Sequence, residues 1–323
     1  MAFRLKVDEP IEKGFRRAGV EQIERARRQL MATAAGASEV HEARKCMKRI
    51  RALLRLARKG LGETVYSEEN DSFRAIANSL AGERDHHVLL ETIVKLMAET
   101  DGSTALALKH LKDAVTATRA PTTADAAAEG YAEANASLER AMKRFKRLRI
   151  EPDDFSALEQ GLVRNYRKGL ERRAIAYAEN TDEAFHDWRK CVQAHWRHMT
   201  LLSKAWPQLF SAQLEAAREL SQILGDDHDL ALLRAKMAEL PADALPKEDS
   251  LEIETLIQVR QNALRSLAKP AGDIIFAESP KAHGRRFAGI WRGAIARLNE
   301  ENAGVQARTT EPRAKPQVHV RSQ

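Results

Sequence analysis

The sequence predicts an all-α fold, on three observations. Apolar residues recur at three- and four-residue steps along most of the 323 residues, and no segment reads convincingly as a strand. Ala, Leu, Arg, Glu and Lys, all good helix formers, dominate the composition. One pattern is also written twice, as V-H-E-A-R-K-C-M-K-R-I (Val40 to Ile50) and F-H-D-W-R-K-C-V-Q-A-H (Phe185 to His195). His41 and His186 lie 145 residues apart, close to half the chain. Repetition at that scale predicts two four-helix bundles related by an internal pseudo-twofold repeat.

The elements follow in order. A first helix is expected from Pro10 to Thr33, broken by Ala35-Gly36-Ala37-Ser38, with Ser38 placed to cap the next helix. That helix carries the first motif and ends at Gly60-Leu61-Gly62. Further helices are expected over Ser67 to Glu99, Thr104 to Arg119 (before Pro121) and Ala124 to Arg149. The pattern restarts with Phe155 to Glu179, and Asn180-Thr181-Asp182 caps the second motif helix, which ends at Trp206-Pro207. Gln208 to Leu240, Lys247 to Leu267 and Pro280 to Asn302 complete the set. Residues 1–303 thus read as one domain of two helical halves, 1–150 and 151–303, and the polar run 304–323 as a disordered tail. Gly82-Glu83-Arg84-Asp85 also matches Gly225-Asp226-Asp227-His228-Asp229 with one gap, setting Asp85 against Asp229.

Composition narrows the partners. The chain is 43% hydrophobic and 31% charged, with a net charge of +7, which favours a polyanion such as nucleic acid, polyphosphate or an anionic membrane surface. Its two cysteines, Cys46 and Cys191, one per motif, read as small core residues rather than a disulfide framework or metal site. No apolar leader and no run of 18 apolar residues is visible, so a cytoplasmic protein without a membrane span is expected.

Val40, Ala43, Met47, Ile50, Leu54, Ala57 and Leu61 form one apolar stripe on the first motif helix. His41, Arg44, Lys45, Lys48, Arg49, Arg51 and Arg55 fall beside it. Between Ser38 and Gly62 there are eight bases and two acids, a net +6 over about six turns. The second helix repeats the register with Phe185, Trp188, Val192, His195, Met199, Leu202 and Trp206, and its bases are His186, Arg189, Lys190, Arg197 and Lys204. Bases at such spacing form a ladder of donors suited to an extended polyanion, and an adjacent His titrates near pH 6.5 when unperturbed. A solvated charged face is the plainer alternative, but the acids are too few to pair with these bases. Arg164, Arg167, Lys168, Arg172 and Arg173 line the following helix. Arg140 to Arg149 crowd a helix end where cations suit the dipole, whereas Lys281, His283, Arg285 and Arg286 open the last helix, where an anionic partner is expected.

These segments resemble the CHAD family (conserved histidine α-helical domain). V-H-E-A-R-K…K-R-I-R-A-L-L-R-L and F-H-D-W-R-K…H-W-R…L-L look like its two His-bearing helices. L-A-G-E-R-D-H-H-V-L-L and L-G-D-D-H-D-L-A-L-L look like its L-G-x-x-R-D-x-D-V-L segments, and the resemblance covers about residues 5 to 303. It implies two four-helix bundles with a basic central surface that binds inorganic polyphosphate, and a link to polyphosphate granules. The leading expectation is binding without catalysis, and no cofactor or metal is expected. No E-x-E-x-K segment precedes the helices, so a member standing without a CYTH domain is expected. The binding residues it implies are His41, Arg44, Lys45, Lys48, Arg49, Arg55, His186, Arg189 and Lys190, to which the basic helix faces add Arg51, Arg197, Arg167 and Lys168. Gln193 and Ala194 thin the second ladder, and His86, His87 and His228 depart from the family pattern.

Competing readings stay open at this level. A nucleic-acid binder fits the charge, although aromatics are only 5% and Trp188, Trp196, Trp206 and Trp291 mostly read as core. Phosphotransfer through His41 and metal chemistry at Asp226, Asp227 and Asp229, read as a helix start, are the enzymatic options, with His86, His87 and His228 as a weak metal set.

Overall fold

The computed structural model describes residues 3–32, 36–80, 82–118 and 124–310, and these form helices without strands. In chain order the helices are α1 (Ile11–Leu30), α2 (Ala37–Leu56), α3 (Arg58–Leu61), α4 (Glu63–Ser79), α5 (Gly82–Ala98) and α6 (Gly102–Ala117). They continue as α7 (Ala124–Phe145), α8 (Ser156–Glu179), α9 (Asp182–Leu202), α10 (Pro207–Ala238), α11 (Lys247–Ile275) and α12 (Pro280–Thr310). The expected all-α class is therefore observed.

The motif helices are α2 and α9, and their ends have local causes. Ser38 is not the cap of α2. Gly36 precedes the helix, and its N–H donates to Glu39 Oε2 at 2.9 Å. Asn180 ends α8 in the left-handed region, φ 51°, and Thr181 caps α9 by accepting from the Ala184 N–H at 3.3 Å. The helix expected over Ser67 to Glu99 is two helices. Phe73 and Ile76 of α4 join the core of α1, α2 and α7, whereas Leu89, Ile93 and Leu96 of α5 join a different core, so the chain turns between them.

Two closed sets of four helices result. The helices α1, α2, α4 and α7 pack around Phe15, Met47, Ile50, Phe73 and Phe145, with Phe15 stacked on Phe145 at 5.0 Å. The helices α5, α6, α10 and α11 form a second set around Leu108, Leu111, Leu233 and Ile257, drawing two helices from each half of the chain. Between them lie α8 and α9, which share a third core with α10 and α11 built on Tyr166, Phe185 and Trp188. Burial of Ala268 and Gly272 carries α11 through exposed Pro270, beyond its expected end at Leu267. Likewise α12 runs to Thr310, so the tail expected from residue 304 begins as helix, while residues 311–323 and Pro121 fall outside the described residues.

One close approach positions the motif helices. A Cβ on Gly161 of α8 would sit 2.0 Å from the Leu56 carbonyl oxygen of α2, so only glycine lets the two backbones meet. The obstacle is backbone and cannot rotate away. Gly161→Val is expected to destabilise the protein by about 3 kcal/mol in urea denaturation, an overpacking cost.

Candidate anion-binding groove

The bases of α2 and α9 flank a groove of about 350 Å³. Its walls are Arg44, Lys48, Arg51 and Arg55 of α2 and His186, Arg189, Lys190, Gln193 and Arg197 of α9. His228 and Asp229 of α10 and Val88 of α5 close it. Each helix contributes one row because its apolar stripe is buried, leaving the flanking row at the seam. Arg55 and Lys190 also line a narrower basin of about 180 Å³, with Arg58, Arg164, Lys168 and Arg172 around Asp187. Arg58 and Arg164 in turn line a third, open basin of about 870 Å³, with Lys59 and Arg167. Shared walls join the three basins into one basic track.

Not every residue expected on the ladder reaches it. Lys45 donates to Glu42 at 2.8 Å, and Glu42 also takes Arg25 of α1 at 3.0 Å. Arg49 donates to Gln22 of α1 at 3.3 Å. These two bases therefore face α1. His41 is half-buried at the start of α2, one turn before Arg44, and is not among the lining residues, unlike its counterpart His186. Arg44, Lys48, Arg51, Arg55, His186, Arg189, Lys190 and Arg197 come together in the first basin, Lys168 joins at the second and Arg167 at the third. Three arginines are held in place: Arg44 on the Ala77 carbonyl (3.0 Å), Arg51 on Asn70 Oδ1 (3.1 Å) and Arg197 on the Gln193 carbonyl (2.9 Å). Arg58, in the shared wall of basins two and three, is paired with Glu63 and lies 4.3 Å over the Tyr66 ring. It is not among the binding residues expected from the sequence, although it belongs to the same basic run, which ends at Lys59.

Crowding sets the electrostatics. Burial, with Arg55 and Arg74 nearby, pulls the Arg51 guanidinium down to about 10, and burial with Arg49, Arg55 and Arg189 pulls Arg197 down to about 9. Both remain charged at neutral pH, in a strained field that an anion relieves. His186 and His228 stack with ring centroids 4.1 Å apart. Burial and the cations around them pull His186 down to about 4 and His228 to about 3. This corrects the expectation of titration near 6.5: in the free protein the pair is neutral at pH 7. A polyanion bound here would raise both values, and its affinity would then climb as pH falls from the bound-state pKa toward the free-state pKa. NMR titration of the His186 ring should show a midpoint well below 6 without polyanion and an upward shift with it.

Several other expectations change. His283, placed at an anion-seeking helix start, is 1% exposed and stacks on Tyr166 at 4.0 Å, and Arg286 already holds Glu278 at 2.8 Å. Arg173 pairs with Asp273 rather than lining the track. Arg144 and Arg149 pair with Glu69 and Glu12. Asp226, Asp227 and Asp229 lie inside α10, not at a helix start, and Asp227 is buried against Arg265 at 2.8 Å. His87 lies 3.4 Å from Glu91, and the match of Arg84 with His228 falls outside the described side chains. Among the described residues no group of three His, Cys, Asp or Glu side chains could hold a metal. Cys46 and Cys191 are both buried and free. Trp206 is 47% exposed because α9 stops at Leu202, before its stripe reaches that position. His198 is buried, and its Nε2 lies 3.0 Å from the Ala52 carbonyl, tying α9 to α2 behind the track.

A helical-bundle protein, strandless among the described residues, with a basic seam between paired His-motif helices is the class this geometry defines. The CHAD domain model matches residues 17–238, and the chain belongs to the CHAD family. That family is linked to polyphosphate binding, and a CHAD domain by itself is generally non-catalytic. A solved relative in fold is the crystal structure of the CHAD domain from the plant Ricinus communis. It matches with a TM-score of 0.57 and 19% identity over 86% of this chain and 94% of that one. No curated protein matches the chain. Among the described residues no helix is long and apolar enough to cross a membrane.

Proposed function

We propose that this protein binds inorganic polyphosphate along the track between α2, α8 and α9 without chemically altering it. The observation that carries this reading is continuity: Arg55 with Lys190, and Arg58 with Arg164, each belong to two neighbouring basins. A chain of phosphates meets charged donors along the whole length, whereas a single phosphate uses only one basin. Binding proceeds through charge-assisted hydrogen bonds from Arg and Lys and release of condensed counterions. Association with polyphosphate granules in the cytoplasm follows from the same chemistry.

Polyphosphate is favoured over nucleic acid by what the track lacks. Among the described residues Tyr66 is the one Phe, Tyr or Trp in its walls and its ring already carries Arg58, the His186 and His228 rings are stacked on each other, and Trp188 and Trp291 are buried in the core. Successive bases would find no row of rings to stack on. The test is titration with long-chain polyphosphate at two salt concentrations, with single-stranded DNA as competitor. The expected result is binding that DNA displaces poorly, with log affinity falling against log salt by about 0.7 per phosphate contacted. Equal displacement by DNA would transfer the track to nucleic acid.

A further inference from the structure

Resting on that reading, we propose that Asp187 is a built-in counter-anion which polyphosphate must displace, and which holds the affinity of the track down. Asp187 Oδ1 accepts from Lys190 Nζ at 2.7 Å, and Oδ2 lies 3.5 Å from Arg172. It is the single acid lining the middle basin, where six bases converge, and this basin is the narrow passage between the other two. A chain that runs through all three basins passes along the Asp187 carboxylate. Lys190 is also the wall shared with the first basin, so its partner governs both. None of the three side chains is buried: Asp187 is 30%, Lys190 54% and Arg172 41% exposed, so the pairing can open in solution.

The position is written into the repeated motif, but the two copies use it differently. An acid one residue after the His reaches the Lys four after it in both, as Glu42 with Lys45 (2.8 Å) and Asp187 with Lys190 (2.7 Å). Glu42 is turned to Arg25 of α1, away from the track, and serves the packing of α1 on α2. Asp187 is turned into the track and bridges α9 to α8 through Arg172. The Lys190 hydrogen bond holds its carboxyl below the usual carboxylate range, with Lys190 and Arg172 charges adding to this, so it is ionised at neutral pH.

The exchange is simple. Phosphate oxygens replace the carboxylate on Lys190 and Arg172, and Asp187 swings to solvent. Because one fixed charge already compensates these bases, they release fewer solution ions on binding than uncompensated bases do. Asp187→Asn removes the competitor while keeping size and shape.

The experiment is a titration of wild type, Asp187→Asn and Glu42→Gln with long-chain polyphosphate over a series of salt concentrations. Asp187→Asn should bind about three- to tenfold more tightly, the scale of a partly exposed ion pair and the repulsion it spares. Its log–log salt slope should steepen by about 0.7, one counterion's worth. Glu42→Gln should change neither. Asp187→Asn binding no more tightly, while wild type binds, overturns the counter-anion role and leaves polyphosphate binding intact. No binding by either protein removes the functional reading itself. Asp187→Ser, which shortens the side chain, should reproduce the gain, and circular dichroism checks that each variant is folded.

Discussion

Replacing both Arg55 and Lys190 with alanine is expected to weaken polyphosphate binding by about 30- to 1000-fold. The two residues are the shared wall of the first and second basins, so their loss both removes donors and divides the track. Each partly exposed charged contact contributes about 1–2 kcal/mol, and 1.4 kcal/mol is tenfold in affinity. The salt slope should flatten by about 0.7 for Arg55 and by less than that for Lys190, whose charge Asp187 already compensates. Lys45→Ala with Arg49→Ala is the informative contrast. It removes the same net charge, from α2 alone, yet both side chains face α1, so affinity should change by less than about threefold. Salt-dependent fluorescence or calorimetric titration measures all three proteins. Equal losses in the two double variants would show that net charge, not the track, governs binding.

Arg265→Met is expected to be the most damaging single change outside the track, costing about 3–5 kcal/mol at neutral pH. Arg265 is 5% exposed and holds three anchors: Asp227 at 2.8 Å, Asp182 at 2.5 Å and the Asn180 carbonyl at 3.0 Å. Arg234 and Gln261 complete the network on Asp182 at 2.7 and 3.0 Å. These groups tie the start of α9 to α10 and α11, and the residues they fix begin the turn that presents His186, Arg189 and Lys190. Met fills much of the volume but leaves Asp227, 2% exposed, without its cation. Burial already pushes the Asp227 carboxyl up, with Arg265 opposing it, and without Arg265 it rises further. A carboxyl whose folded-state pKa lies above its unfolded value stabilises below the unfolded pKa and loses that contribution as pH rises through the folded one. The deficit of the variant should therefore shrink at pH 5 and grow toward pH 8, as read by urea denaturation at the two values. A deficit independent of pH would place its origin in lost packing over Phe185, where Arg265 lies 4.4 Å from the ring centroid.

The helical class and the two motif registers were legible because both rest on local periodicity. All seven expected apolar positions of α2 and its continuation, Val40 through Leu61, are buried, as are six of seven on α9, from Phe185 to Leu202. The seventh, Trp206, fails where the helix itself ends. The site was legible only in part, for a geometric reason. Bases flank the stripe of α2 on both sides, and periodicity cannot say which flank meets α9 and which meets α1. Arg44, Lys48 and Arg51 fall on one flank, Lys45 and Arg49 on the other. The gathering of Arg58, Arg164 and Arg172 at one narrow passage depends on α8 crossing α2 at Gly161, a contact between residues far apart in sequence. His228 reaches His186 only through the packing of α10 on α9.

The joint bundle of α5, α6, α10 and α11 has a consequence for how the chain is made. Leu108 and Leu111 of α6 wait for Ile253 and Ile257 of α11, and His110 meets Asp249 139 residues later. At a synthesis rate of about 5–20 residues per second, that apolar hairpin stands uncovered for roughly 7–28 seconds on the ribosome. The α1, α2, α4 and α7 set can close early, whereas α5 and α6 cannot be buried until nearly the whole chain has emerged. A fragment ending at residue 238, where the family match stops, leaves them without α11. The two halves are thus coupled in time as well as in space, and a nascent chain stalled between them is the species most exposed to aggregation and to chaperone capture.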